Sequence, residues 1–144
     1  MTIYKAVFCP VLTYGSETWT LECSEKSKLQ ATEIKFLRKI AGKTRRDKVR
    51  NTKIRESLNT KTLLERIEKN RLRWYGHVQR MKDERIPRLA LMAKSGGKRP
   101  RGRPRKRWEQ QVEEGLRERG LTLASAKKKC MERSIWRGVI QMDL

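Results

Sequence analysis

The segment TLLERIEKNRLRWYGHVQRM, residues 62–81, decides the fold class. Thr62 and Glu65 have the spacing of a capping box, in which two side chains bond the free backbone N–H groups at the start of a helix. Behind this start, apolar residues recur three or four positions apart, which predicts an amphipathic helix. The apolar stripe consists of Leu64, Ile67, Trp74, Val78 and Met81, and the other face carries Arg66, Lys69, Arg73 and Arg80.

Gly76 interrupts this helical pattern. Glycine in an open helix costs about 1 kcal/mol relative to alanine. We therefore expect either a close neighbour or a bend at this position.

Helix signals recur on both sides of this segment. Ser24 can cap a helix that runs to about Ala41 and stops at Gly42. Further short helices are expected behind Asn51, over 86–93 with Pro87 in the first turn, from about Arg105 to Gly120 with Trp108, Val112 and Leu116 on one side, and behind Thr122. The last of these would place Ala124, Met131, Ile135 and Val139 on one stripe, with Trp136 nearby.

The first 23 residues are more apolar than the rest of the chain. Ile3, Val7 and Val11 suit one face of a helix, which Pro10 could kink or end, although a strand around residues 11–14 is also open. The patterns together predict an all-α fold of about six short helices in a small irregular bundle with one extended basic Gly/Pro loop. The expected segments are a helical region at 1–94, the loop at 95–107 and a C-terminal helical pair at 108–144.

The basic loop contains KRPRGRPRKR, residues 98–107, of which seven are Lys or Arg and none is acidic. Its prolines stiffen an extended backbone, and glycine lets that backbone approach the floor of a groove in DNA. Arginine is favoured in narrow A/T-rich minor grooves, where the potential is most negative. The segment resembles an AT-hook, although generic phosphate binding to DNA or RNA and a merely solvated loop are the alternatives.

The excess of 37 Lys and Arg over 16 Asp and Glu gives a formal net charge of +21, which a polyanion would relieve. The expected partner is DNA, RNA or both. A membrane surface is disfavoured, because the chain has no lipidation motif and no long apolar run. The expected contacts are Lys98, Arg99, Arg101, Gly102, Arg103, Pro104, Arg105, Lys106 and Arg107 in the loop, helped by Arg71, Arg73 and Arg80 on the helix.

Catalytic and metal-binding groups are sparse. His77 is the single histidine, and Cys9, Cys23 and Cys130 are far apart, so they lack zinc-finger spacing and are typical of a reducing compartment, nuclear or cytoplasmic. No clustered aspartates, nucleophile elbow or phosphate-binding glycine loop occurs, and no signal peptide is recognised. We therefore expect no catalytic residue, no metal and no cofactor.

Several segments in order carry a family resemblance. They are PVLTYGSETW (10–19), LRKIAGKTRRDKVRNTKI (37–54), RLRWYGHVQRM (71–81) and GKRPRGRPRKRW (97–108), followed by the region of Trp136. Nearly the whole chain resembles the C-terminal portion of reverse transcriptases encoded by non-LTR (LINE-type) retrotransposons. The resemblance implies a thumb-like helical region in 1–94 that holds a template–primer duplex, with a basic tail that binds RNA or target DNA.

The chain departs from this family in lacking the catalytic Tyr-x-Asp-Asp motif and any endonuclease. The resemblance therefore implies a nucleic-acid-binding fragment rather than an enzyme, from a truncated reading frame, a domesticated remnant or a gene-model fragment. Residues 1–23 would then normally pack against the absent palm region, and we expect them to be the least well packed. The alternatives are an A/T-rich minor-groove binder, a partial enzyme that needs a separate palm subunit, and the product of a pseudogene.

Overall fold

The computed structural model describes residues 1–93, 101–102 and 106–142, and every regular element among these residues is helical. The all-α prediction is confirmed. A π-helical segment (Tyr4–Phe8) leads into α1 (Cys9–Thr13), and a 3₁₀ turn (Ser16–Thr18) precedes the longer helices. These are α2 (Cys23–Ile40), α3 (Asn51–Ser57), α4 (Leu63–Gln79), α5 (Ile86–Met92), α6 (Trp108–Arg117), α7 (Leu123–Met131) and α8 (Arg133–Gln141).

The described residues contain eight α-helices against about six expected, and a break near the C-terminus supplies one of the additional helices. The short helix α1, residues 9–13, lies in the N-terminal segment where a helix was already expected. The chain breaks at Glu132, where an extended backbone conformation separates α7 from α8.

The prediction of one continuous apolar stripe behind Thr122 is therefore wrong. Met131 and Ile135 are exposed, because the break at Glu132 resets the helical phase. The inner faces are instead formed by Ala126 and Cys130 of α7 and by Trp136, Val139 and Ile140 of α8.

The chain divides into two compact units, Met1–Glu68 and Lys69–Leu144. The division lies inside α4, at a place that the composition of the sequence does not mark. None of the described helices is both long enough and apolar enough to cross a membrane.

The first unit begins with a helical stretch, residues 2–13, which we call the N-terminal helical segment; one side of it is buried and the other is exposed. Phe8 stacks on Phe36 of α2 with ring centroids 4.1 Å apart, and Tyr4 lies beside both rings. The opposite side carries Ile3, Val7, Val11 and Tyr14, which are exposed. Residues 11–13 are thus helical rather than a strand. The apolar stripe of Ile3, Val7 and Val11 faces outward.

Glu33 of α2 is fully buried in this unit, and its carboxylate joins three other segments. It accepts hydrogen bonds from the Tyr4 hydroxyl (2.7 Å), from the backbone N–H of Leu63 (2.8 Å) and from the Arg55 guanidinium (2.8 Å). Burial, together with this acceptor, raises the pKa of Tyr4, so the phenol stays protonated and donates. A buried carboxylate is tolerated only when its oxygens accept hydrogen bonds. The packing of this unit around Glu33 therefore requires all three donors.

The predicted capping box at the start of α4 is present. The backbone N–H of Glu65 donates to Thr62 Oγ1 at 3.2 Å, and that of Thr62 donates to Glu65 Oε1 at 3.4 Å. Gly42, expected to stop α2, has φ +62°, a conformation that favours glycine. Thr122 caps α7 as expected, with its hydroxyl accepting from the backbone N–H of Ser125.

The second unit is built around Trp136, whose indole N–H donates to the Leu72 carbonyl of α4 at 3.1 Å. The indole lies directly on Gly76, where a Cβ atom would collide with it. The expectation of a close neighbour at Gly76 is confirmed. Tyr75 packs beside Trp136 in the same apolar cluster, and Trp108 packs against Tyr75.

Replacing Glu33 by alanine should destabilise the protein by about 3–5 kcal/mol, because it leaves the Arg55 charge and two further donors without their acceptor. Glu113→Ala is the matched control: its 3.9 Å contact with Arg117 is solvent-exposed, and such pairs contribute less than about 1 kcal/mol. Urea denaturation measures both. Equal losses for the two variants would contradict the role given to Glu33.

Gly76→Ala should destabilise by about 1–3 kcal/mol, because the added methyl group forces Trp136 from its place. Gly138 in α8 has no neighbour within 4 Å of its would-be Cβ, so Gly138→Ala should stabilise by about 0.5–1 kcal/mol. Thermal unfolding of the two variants should therefore shift in opposite directions. A Gly76→Ala variant more stable than the wild type would show that the Trp136 indole accommodates the added methyl group.

Candidate nucleic-acid interface

The basic loop is described at only four of its predicted contact residues. Lys98, Arg99, Arg103, Pro104 and Arg105 lie outside the described residues. Arg101 and Gly102 are exposed, and Gly102 has φ +117°, which a residue with a side chain adopts only with strain. Lys106 and Arg107 are also exposed, beside the start of α6.

The two cations next to α6 differ in their surroundings. Lys106 pairs with the Glu114 carboxylate on α6 while keeping a side-chain exposure of 42%, so its ammonium can still reach solvent. The backbone N–H of Arg107 donates to Gln110 Oε1 at 2.8 Å, which anchors the chain at the helix start. The loop therefore joins α6 at a bonded position, with Arg107 exposed.

The three helical arginines do not form one exposed face. Arg73 is exposed and donates to Asn70 Oδ1 at 3.0 Å. Arg80 is half-buried, and its guanidinium donates to the Cys130 carbonyl at 2.7 Å. Arg71 is only 4% exposed, because it precedes the buried Tyr75 by one helical turn and shares its inner side of α4. Arg71 is thus removed from the candidate contact surface, and Arg80 is engaged in packing α7.

A basic groove lies in the first unit, where α2 faces the loop that follows it and the start of α3. We call it the α2 groove; its volume is about 900 Å³, at the upper end of the range for ligand sites. None of the described residues that line it carries a carboxylate. Its six cations are Lys35, Arg38, Lys39, Lys43, Arg45 and Arg55.

The loop beside this groove, residues 41–50, is held by side-chain bonds. Arg38 donates to the Thr44 carbonyl (3.0 Å), to the Val49 carbonyl (2.6 Å) and to Asn51 Oδ1 (2.9 Å). The Asp47 carboxylate accepts from the backbone N–H (2.6 Å) and hydroxyl (3.0 Å) of Thr44, and these bonds lower the pKa of Asp47. The loop is therefore an organised platform for its cations.

The α2 groove was not among the sites predicted from the sequence. KTRRDKVR, residues 43–50, is a second basic run, but an aspartate divides it and no proline or glycine marks it as a binding segment. The signal available in the sequence was the pair Lys35 and Lys39, one helical turn apart and upstream of that run.

The aromatic side chains near cations mostly serve packing. Tyr75 is buried, and Trp108 is partly buried against the core of the second unit, as core residues would be. Trp74 is half-buried beside the exposed His77, with ring centroids 5.5 Å apart. A base-stacking surface of several exposed aromatic rings is therefore not assembled among the described residues of α4 and α6.

The cysteines and other potential metal ligands do not form a reactive cluster among the described residues. Cys9 and Cys130 are buried and Cys23 is exposed, and burial raises the pKa of the Cys130 thiol to about 12, which disfavours a thiolate. Within the described part of the chain, no three His, Cys, Asp or Glu side chains come together as a possible metal site.

Comparison with known proteins gives two relatives. An uncharacterized transposon-derived protein of Caenorhabditis elegans is 30% identical over 89 residues, which are 59% of this chain and 32% of that protein. A probable RNA-directed DNA polymerase from the transposon X-element of Drosophila melanogaster is 33% identical over 81 residues, which are 56% of this chain and 9% of that protein. No protein-family model matches the chain, and no solved structure does.

These relatives are transposon-derived, and one is named as an RNA-directed DNA polymerase, which supports a retrotransposon origin for the chain. The matched regions span 32% and 9% of the lengths of the two relatives. The resemblance seen in the sequence is thus supported at the level of origin.

Proposed function

We propose that the chain is a nucleic-acid-binding C-terminal fragment of a retrotransposon reverse transcriptase and performs no catalysis itself. The observation that carries this proposal is the surplus of cations, 37 against 16 acidic residues, in a chain related to transposon-derived proteins. A chain with this charge is stabilised by a polyanion, and a polymerase must hold one. The Tyr-x-Asp-Asp motif of the polymerase palm is absent from the sequence, which supports binding without chemistry.

The loop at 98–107 is the proposed main contact. Its seven cations are Lys98, Arg99, Arg101, Arg103, Arg105, Lys106 and Arg107, and Arg73 adds an exposed cation on α4. Contact with phosphates fixes position without reading sequence, so this mode serves DNA and RNA alike.

A second candidate is preferential binding to A/T-rich minor grooves as a domesticated DNA-binding protein. The positive φ of Gly102 favours it, because glycine at that position lets the backbone turn while Arg101 stays exposed. Gly102 and Pro104 would then shape the segment that enters the groove.

The outward face of the N-terminal helical segment is the proposed contact with the polymerase palm region. Ile3, Val7, Val11 and Tyr14 are 56–85% exposed on that face, and an apolar stripe of this kind is typical of a buried interface. The polymerase relative extends far beyond the matched region, which supports a further part of the same polypeptide as the covering partner.

Binding to duplex DNA should weaken with salt, and the seven loop cations should contribute about −6 to the slope of log K against log[salt]. The double variant Arg101→Ala with Arg103→Ala should reduce the steepness by about 2, since each lost phosphate contact removes about 0.9. Fluorescence anisotropy across a salt series measures the slope. Arg133→Ala with Arg137→Ala, two exposed arginines of α8, is the charge-matched control.

The same assay separates the two candidate functions by competition. An A/T-rich duplex should displace labelled DNA no better than a G/C-rich duplex or RNA if phosphates are the contact. Strong preference for the A/T duplex would instead favour the minor-groove function. A wild-type slope near zero, or no binding at low salt, would contradict nucleic-acid binding altogether.

Ile3→Ser with Val7→Ser and Val11→Ser should abolish co-purification with a separately expressed palm region, because it removes the apolar face without touching buried residues. The matched control is Ile86→Ser with Leu89→Ser and Met92→Ser, an exposed apolar set on α5. Affinity pull-down quantifies both. Retention of the palm region by the first variant would show that the interface lies elsewhere.

A further inference from the structure

We propose that the α2 groove holds the sugar–phosphate backbone of a nucleic acid without reading its bases. The groove belongs to the first unit and is distinct from the loop at 98–107 to which the sequence assigns binding. This inference rests on the proposed function, since it supplies a second site for the same class of ligand.

The six cations of the groove divide into two kinds. Arg55 is paired with Glu33, and Arg38 is bonded to two carbonyls and to Asn51, so both are used within the fold. Lys35, Lys39, Lys43 and Arg45 are exposed, and no ion-pair partner among the described residues holds any of them. These four side chains are the cations available to a ligand.

The electrostatics of the groove favour an anion. Asp47 lies in the adjoining loop and does not line the groove, but its carboxylate, which accepts from Thr44, stays negatively charged and acts on Lys43 and Arg38. Glu33 is buried on the inner side of α2, two residues and therefore about 200° around the helix from Lys35. Asp47 offsets part of the charge of the four exposed cations, and because no described lining residue is a carboxylate, the groove keeps a net positive charge.

The frame of the groove is organised before a ligand arrives. Arg38 ties α2 to Thr44 and Val49, so Lys43 and Arg45 stand on a bonded loop. A ligand then immobilises only the ends of side chains, which lowers the entropic cost of binding.

The lining residues indicate phosphate and sugar contact rather than base recognition. The amide of Gln30 can donate to phosphate or sugar oxygens, whereas the Ser27 and Thr32 hydroxyls already donate to backbone carbonyls and can only accept. No aromatic ring is among the described residues that line the groove. Sequence-tolerant binding of single-stranded bases depends on aromatic stacking surfaces. Lysine and arginine around a groove without such surfaces are suited to a backbone, whichever bases it carries.

The test is a quadruple variant, Lys35→Ala, Lys39→Ala, Lys43→Ala and Arg45→Ala, in the full chain. All four side chains are exposed and Lys35 and Lys39 lie in a helix, so the folded state should persist, as circular dichroism and thermal unfolding would show. The steepness of log K against log[salt] for duplex DNA should fall by about 3.6, or about 0.9 for each lost contact. The loss should be equal on A/T-rich and G/C-rich duplexes.

The charge-matched control is Lys5→Ala, Lys53→Ala, Arg66→Ala and Lys82→Ala, four exposed cations that do not line the groove. It should leave the slope within about 1 of the wild-type value. A groove variant that behaves like this control while the wild type binds overturns the groove assignment and leaves the proposed function intact. A wild type that binds neither DNA nor RNA at low salt overturns both, and a loss confined to one duplex composition overturns the claim that bases are not read.

Discussion

The carboxylate of Glu33 is the interaction on which the first unit depends, because one buried charge accepts hydrogen bonds from three separate segments. Tyr4, Arg55 and Leu63 donate to it from the N-terminal segment, from α3 and from the start of α4. A buried carboxylate that loses a donor carries a desolvation cost, so these elements are coupled in their packing. The same helix then presents Lys35 and Lys39 outward, since the inner and outer sides of α2 alternate with the helical period.

Local signals in the sequence predicted most of the helices, although the predicted cap Ser24 is wrong: α2 begins at Cys23 and is capped by Glu22 with Glu25. The capping pairs at Thr62 and Thr122 and the stop at Gly42 involve residues within three positions of each other, so the sequence contains the whole interaction. Gly76 was informative for the same reason: its cost in a helix pointed to a neighbour, which proved to be Trp136. The identity of that neighbour, 60 positions away in the chain, was beyond local reasoning.

The candidate site was harder to predict, because charge alone does not distinguish a ligand contact from a packing contact. Arg71 and Arg73 are two positions apart in one helix, yet Arg71 is buried and Arg73 is exposed. Their exposure differs because only one side of α4 meets the core. The apolar stripe predicted from the sequence omitted Leu72 and Tyr75, which are both fully buried, so it did not identify that side correctly. The α2 groove was missed for a related reason: it lies between α2 and the loop at 41–50, which Arg38 holds by bonds to residues 6 and 11 positions away.

Several arginines in the described structure have a use that the groove lysines lack, because they donate hydrogen bonds within the fold. Arginine often serves as an internal donor: Arg38 bonds Thr44 and Val49, Arg80 bonds Cys130, and Arg119 bonds the Gly115 carbonyl. The planar guanidinium is suited to this, because it offers several donors in fixed directions and is weakly hydrated. The groove lysines stay exposed, as compact and strongly hydrated charges do. These arginines are therefore part of the fold, while the charge available to a polyanion lies on the exposed lysines and on exposed arginines such as Arg45, Arg73 and Arg101.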